Sequence, residues 1–286
     1  MAVRQSPPAI RRQLGAELRR LRERGHRTVA DVAAELGWSE SKLSRIETAH
    51  TNIRPNDLGR LLTVYAVDKA TRSRLGAMAG QARQRAWWEV YGDALPNAYE
   101  TYIGFEAEAV LLREFNLNVV PGLLQTDEYA HAVTKAGPPG EDDPDLVSQL
   151  VQVRMTRRAV LTREPPLELH AIIDEAVLRR EVGGRDVMHR QLRALLDAAE
   201  RPTVTIQVLP FGVGAHPALI SSFLLLGFAP GEGDPIVYCD GMTGGVFRNR
   251  PAECDVYTAA FVVLSEAALD PADSLTMLGA TAHEMG

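Results

Sequence analysis

Cysteine, lysine near the N-terminus and long apolar runs are all scarce in this chain, and each scarcity narrows what it can be. Two cysteines, Cys239 and Cys254, stand apart without a Cys-x-x-Cys pair. That spacing argues against a thiolate zinc site and a disulfide framework, and it suits a reduced, cytosolic setting. The longest apolar stretch, residues 218–229, is broken by Ser221 and Ser222 and falls short of a membrane span. Met1 is followed by an Arg-rich amphipathic segment rather than an apolar one, so no export signal is expected. Gly-rich phosphate loops, a Gly-x-Ser-x-Gly elbow and His-x-x-x-His metal spacing do not occur. With 286 residues, the chain can hold one small domain and a larger one, each burying its own core.

Charge is distributed unevenly. Residues 1–85 carry 17 Lys and Arg against 8 Asp and Glu, whereas the remainder carries 14 against 29. The net charge of −6 therefore hides a basic head and an acidic body. A phosphate backbone meets the local field, so the acidic total does not exclude a nucleic-acid partner for the head.

Within that head, residues 28–47 read as two short helices around one tight turn. Val29, Val32, Ala33 and Leu36 form an apolar stripe at i, i+3, i+4 and i+7. Thr28 with Asp31 makes an acidic variant of the capping box, and Gly37 supplies the reversal. Ser39 caps the second helix, which needs only Leu43 and Ile46 on its buried side. Glu40, Ser41, Lys42 and Arg45 are left facing outward, as in a helix that enters a major groove. Such helix pairs also occur in ordinary bundles, but the flanks add to the signal. Upstream, Ile10, Leu14, Leu18 and Leu21 form one stripe among six arginines; downstream, Leu58, Leu61, Leu62 and Tyr65 form another.

Over roughly Gln13 to Val67, the pattern L-R-x-L-R…T-x-x-x-V-A-x-x-L-G-x-S-x-S-x-L-S-R-I-E resembles the Xre-type helix-turn-helix regulators related to phage repressors. The resemblance implies a recognition helix of about Ser39–Ala49 whose Glu40, Ser41 and Lys42 meet base edges, with Arg45 one turn on. Arg45 or Lys42 would donate to guanine and Glu40 would accept from cytosine. Ser44 and the helix starts at Thr28 and Ser39 would take phosphates, and Asn52 and Arg54 would reach the backbone or a flanking minor groove. Arg22 and Glu47 match a structural ion pair of that family. Three positions depart from it. Val29 replaces the usual Gln, Ala49-His50 replaces a closing glycine, and Glu40 replaces a frequent Gln.

Beyond residue 86 the pattern changes. Asp68–Arg85 reads as one more helix, and Trp87-Trp88 as a plug at a domain junction or dimer contact. Phe105–Phe115 reads as helical or mixed, Thr126 caps a helix to Ala136, residues 137–144 form a connector, and a long helix covers about 144–161. Strands are expected at 167–173, 204–209, 222–228, 236–239 and 245–248, with a helical turn at 175–180, a helix at 185–199 and two tail helices broken at Leu269-Asp270-Pro271. The fold class is therefore multidomain: an all-α, phage-repressor-like head (1–85) and a mixed-sheet α+β or α/β domain (86–286).

Four strings in the second domain (Val119–Tyr129, Ile172–Glu181, Val208–Pro217 and Tyr238–Gly244) are similar to those of a large actinobacterial regulator family, sometimes called WhiJ-like. That likeness implies transcriptional control of development or secondary metabolism, and often a small partner protein in a toxin–antitoxin-like pair.

Catalytic candidates in the second domain are Asp174–Glu175, His216, Cys239–Asp240 and Glu253. Asp174 is explained equally well as a helix cap, and His216 reads more simply as a turn residue and Cys239 as a small core residue. The expectation is a cytoplasmic, nucleoid-associated, non-enzymatic regulator without cofactor or membrane contact. It would bind a palindromic duplex operator as a homodimer, with the second domain receiving a small effector or protein partner. An antitoxin-like interaction module and an enzyme with a DNA-targeting head are the alternatives.

Overall fold

Proline pre-sets helical φ and needs no amide partner in a first turn, while arginines suit the negative end of a helix. The first helix, α1 (Pro7–Arg24), starts on Pro7 and ends with Arg22 and Arg24. It is followed by α2 (Val29–Leu36), α3 (Glu40–Glu47), α4 (Pro55–Val64) and α5 (Lys69–Gln81). The expected stripes meet in one core: Ile10, Leu14 and Leu18 pack with Val32, Leu36, Leu43, Ile46, Leu58 and Leu61.

The computed structural model describes residues 7–49, 51–82, 87–138, 143–231, 233–242 and 244–286. Expectations touching His50, the helix tail at 83–85, Ala86, connector residues 139–142 and the turn residues Glu232 and Thr243 lie outside them. The chain divides into two compact units, residues 1–89 with 229–233 and residues 90–228 with 234–286. Trp87 and Trp88 lie in a short 3-10 turn, their rings edge to face with centroids 5.4 Å apart; Trp88 is buried and Trp87 exposed.

The second unit is built on a six-stranded mixed sheet. Its strands are β1 (Leu111–Asn116), β2 (Glu168–Asp174), β3 (Val204–Leu209), β4 (Phe223–Gly227), β5 (Ile236–Cys239) and β6 (Val246–Arg248), in the order β3-β2-β1-β4-β5-β6. The β1, β2 and β3 strands are parallel, while β4, β5 and β6 add antiparallel to the other edge of β1. Parallel pairing needs crossovers, and these are helical. After α6 (Asn97–Glu106) and β1 come α7 (Asp127–Lys135) and α8 (Pro144–Arg157), leading to β2. Then α9 (Glu175–Arg179) and α10 (Arg185–Ala199) lead to β3, and α11 (Pro251–Ala267) and α12 (Pro271–Met285) close the chain.

One face of the sheet (Leu112, Leu169, Ile206, Leu226, Tyr238) is covered by α6, α10 and α12 through Tyr102, Leu192 and Leu278. The other (Phe115, Ile172, Phe223, Val237) is covered by α11 through Phe261 and Leu264. The stretch 105–115 resolves into the end of α6 and the central strand β1, whose alternation is masked by Arg113 and Glu114. On α10, Met188 and Gln191 are buried with Leu192 and Leu195, while Val187 and Leu196 sit at the margin.

Candidate nucleic-acid interface

Local chemistry sets the turn between α2 and α3. Thr28 Oγ1 accepts the Asp31 amide (3.1 Å) while Asp31 accepts the Thr28 amide (2.8 Å), closing the capping box. The Thr28 side chain, and then its backbone amide, hold the Asp31 carboxyl below its ordinary pKa by hydrogen bonding. Gly37 sits in the left-handed region (φ 66°), and its amide and that of Trp38 return to carbonyls in the last turn of α2. Ser39 Oγ then accepts the Lys42 amide at 3.2 Å and starts α3.

Two contacts seat α3 against its neighbours. Arg22 of α1 makes a bidentate pair with Glu47 (Nε–Oε1 2.8 Å, Nη2–Oε2 2.9 Å) and also donates to the Arg27 carbonyl. The Glu47 hydrogen bond raises the Arg22 pKa. Gly15 lets the helices touch, since a Cβ there would lie 2.6 Å from the Glu47 carbonyl oxygen and 2.8 Å from that of Ile46. The C-terminal end of α3 is thus fixed by α1, while Leu43 and Ile46 bury its inner side.

The outward face is the one expected. Glu40, Ser41, Ser44 and Arg45 are exposed, as are Thr28, Ser39, Asn52 and Arg54. Arg45 Nε donates to the Ser41 carbonyl (3.2 Å), which lays its guanidinium along the helix surface. Lys42 stands apart from this set. Its ammonium bonds Asp57 Oδ2 at 2.9 Å and lies 4.0 Å from the centre of the Trp38 ring. Arg60, in the same corner, donates to the Leu36 carbonyl at 2.6 Å and closes α2.

Asp57, Trp38 and Arg60 are absent from the sequence-derived set, although an acidic residue in the first turn of a Pro-started helix was the available signal. Asp57 and Trp38 hold Lys42 of α3, while Arg60 holds the end of α2. Val29 packs on the head core and donates nothing to α3, and the Lys42–Asp57 bond ties α3 to α4 instead. Ala49, where a glycine usually closes the helix, is buried with φ 62°.

The catalytic candidates of the second unit are dispersed. Asp174 caps α9 by accepting the Ala176 amide (2.8 Å), and Glu253 pairs with Arg248 (3.0 Å). His216 meets Phe115 edge to face at 5.3 Å, Cys239 lies 3.6 Å from the Tyr257 hydroxyl, and Asp240 accepts from Tyr238. Among the described residues, no three His, Cys, Asp or Glu side chains converge as a metal ion would require, and no helix is long and apolar enough to cross a membrane.

A different polar cluster lies inside this unit. Arg157 is enclosed by Glu106 (Nε–Oε1 2.7 Å, Nη2–Oε2 2.6 Å) and donates to the hydroxyls of Tyr99 and Tyr102. Glu114 of β1 is buried on the same sheet face, and desolvation pushes its carboxyl up to about 7.

A helix-turn-helix domain model matches residues 13–75, and the model of a domain of unknown function, DUF5753, matches residues 99–280. The chain belongs to the DUF5753 family. No curated protein and no solved structure matches it. The helix-turn-helix match makes the head that of a DNA-binding regulator, and the DUF5753 match runs from within α6 to within α12, including the whole sheet. The string Val119–Tyr129 is a knot in that domain. Buried Gln125 donates to the Val120 carbonyl (2.7 Å), the Val120 amide donates to Tyr129 Oη (3.1 Å), and the Thr126 amide donates to Gln191 (2.7 Å).

Proposed function

We propose that the chain is a sequence-specific transcriptional regulator that binds a palindromic operator as a homodimer. In this reading α3 lies in the major groove and the DUF5753 domain receives a small effector; no catalytic step belongs to it. The observation that carries the reading is the division of α3, with Leu43, Ile46 and Glu47 buried and Glu40, Ser41, Ser44 and Arg45 exposed on one polar side. Arg45 is the residue best disposed to read a guanine, because Lys42 is held by Asp57. One head covers about half a site, so two recognition helices one helical turn apart imply a two-fold partner.

Operators recovered by genome-wide capture with the full chain provide the test. Arg45→Ala should cost about 1–3 kcal/mol of discrimination at one base pair per half-site. Arg19→Ala, which removes an exposed arginine paired with Glu23, should leave sequence preference intact. An equal effect of both would remove α3 from the reading role. Affinity should fall with salt by about 0.9 log units per neutralised phosphate per log unit of salt. A light-scattering mass of one chain at micromolar concentration, both alone and on the full operator, would refute the dimer.

A further inference from the structure

Leu146, Leu150 and Arg154 recur at i, i+4 and i+8 along α8, while the neighbouring stripe, Val147 and Val151, is buried against Ala130 of α7. The first stripe lines one wall of a cleft of about 550 Å³ in the second unit. Tyr99 of α6 and Tyr238 of β5 line it as well. Their rings belong to one stack through Tyr102, with centroids 6.2 Å (Tyr99–Tyr102) and 4.7 Å (Tyr102–Tyr238) apart. The volume lies in the ordinary range of small-molecule sites, roughly 300–1,000 Å³.

Polar groups at the cleft are few and differ in how far they are satisfied. Asp240 Oδ1 already accepts from the Tyr238 hydroxyl (3.2 Å) and the Gly241 amide (3.0 Å), and its side chain is open to water. The Tyr99 hydroxyl accepts from Arg157 at 2.5 Å. Arg154 is different. It is half-buried, its partner is the neutral amide oxygen of Gln125 at 2.9 Å, and no carboxylate pairs with it among the described residues. Gln125 is itself fixed on the Val120 carbonyl, so the guanidinium is pre-oriented at the edge of an aromatic and aliphatic slot. A half-buried cation whose partner among the described residues is a neutral amide favours an anion, and the aliphatic wall of Leu146 and Leu150 favours an apolar body.

The geometry points to this cleft as the binding site for a largely apolar small molecule with one anionic group, its apolar body against Tyr99, Leu146, Leu150 and Val133 of α7, and its charge on Arg154. The assignment deepens the effector reading above and rests on it for its regulatory meaning, but not for binding itself.

Three fluorescent probes of similar size separate the outcomes on the full-length protein without DNA: anionic anilinonaphthalene sulfonate, uncharged phenylnaphthylamine and cationic proflavine. The sulfonate should bind saturably at one site per chain, about tenfold more tightly than the uncharged probe, as one charge-assisted contact allows. Arg154→Gln should erase that preference while the uncharged probe still binds. Leu150→Trp and, independently, Val133→Trp should fill the cleft and abolish both, in variants whose circular dichroism matches the parent. Tighter proflavine binding, a sulfonate preference that survives Arg154→Gln, or binding unaffected by both tryptophans would overturn the site. Operator affinity measured with and without sulfonate on the same samples tests the sensing role separately. Binding without an effect on DNA would sink the sensing reading and leave the site standing.

Discussion

Arginine on the helix-turn-helix head stands mostly at the surface, where Arg19 pairs with Glu23 and Arg20 with Glu17 along one helix. In the DUF5753 domain, Arg157 is enclosed by Glu106, Tyr99 and Tyr102. Exposed pairs are screened by water and salt and contribute little, which leaves their charges available to an outside polyanion. The enclosed pair has lost its water, so each partner depends on the other. Arg12 and Arg22 depart from this in the head; both are buried, and Arg22 is held by Glu47, which fixes α3. Identical chemistry thus stays open to an outside partner where it is wet and positions helices where it is dry.

The largest test of that contrast is Glu106→Ala, which strands the Arg157 guanidinium. It should cost about 3–5 kcal/mol in urea unfolding of the second unit. Glu23→Ala, which breaks an exposed pair, should cost under about 1 kcal/mol. A similar cost for both would erase the distinction.

Glu114 sharpens the dry side. Its folded pKa of about 7 lies above the ordinary 4.5, so the native state holds a proton that the unfolded chain releases between those values. Stability from this group is therefore full below the ordinary value and declines as pH rises towards 7, by about 3 kcal/mol at most. Glu114→Gln should remove that decline, and the difference in unfolding free energy between variant and parent should grow from pH 5 to pH 8. A constant difference would mean that Glu114 titrates normally.

In the head, Gly15→Ala forces a methyl against the Ile46 and Glu47 carbonyls and should cost about 1–3 kcal/mol in thermal or chemical unfolding. The displaced α3 should also weaken operator binding. The smallest effect expected is a gain: exposed Ala66 follows α4 with φ 49°, and Ala66→Gly should stabilise by about 0.5–1 kcal/mol once the looser unfolded chain is allowed for.

Legibility in the sequence followed the range of the interactions. Caps and turns are local, so Thr28, Gly37, Ser39, Thr126 and Asp174 stood in their places before any coordinates. Five of the six strands were legible from their apolar residues, with clear alternation at Val204–Leu209. The central one was not, because Arg113 and Glu114 interrupt the apolar pattern, and Glu114 is buried on a sheet face only by distant neighbours. Lys42 illustrates the same limit within the reading helix. Its outward position follows from periodicity, but its capture by Asp57, fifteen residues on, required the tertiary fold. The Arg154 cleft was hidden because its walls come from residues far apart in the chain.

The Lys42–Asp57 bond has one further consequence, for how binding isotherms on this protein should be counted. An ammonium already matched by a carboxylate brings no net positive charge to the duplex, so it displaces no condensed sodium or potassium when the complex forms. The logarithmic salt slope would then tally the arginines and pass over the lysine in the middle of the interface.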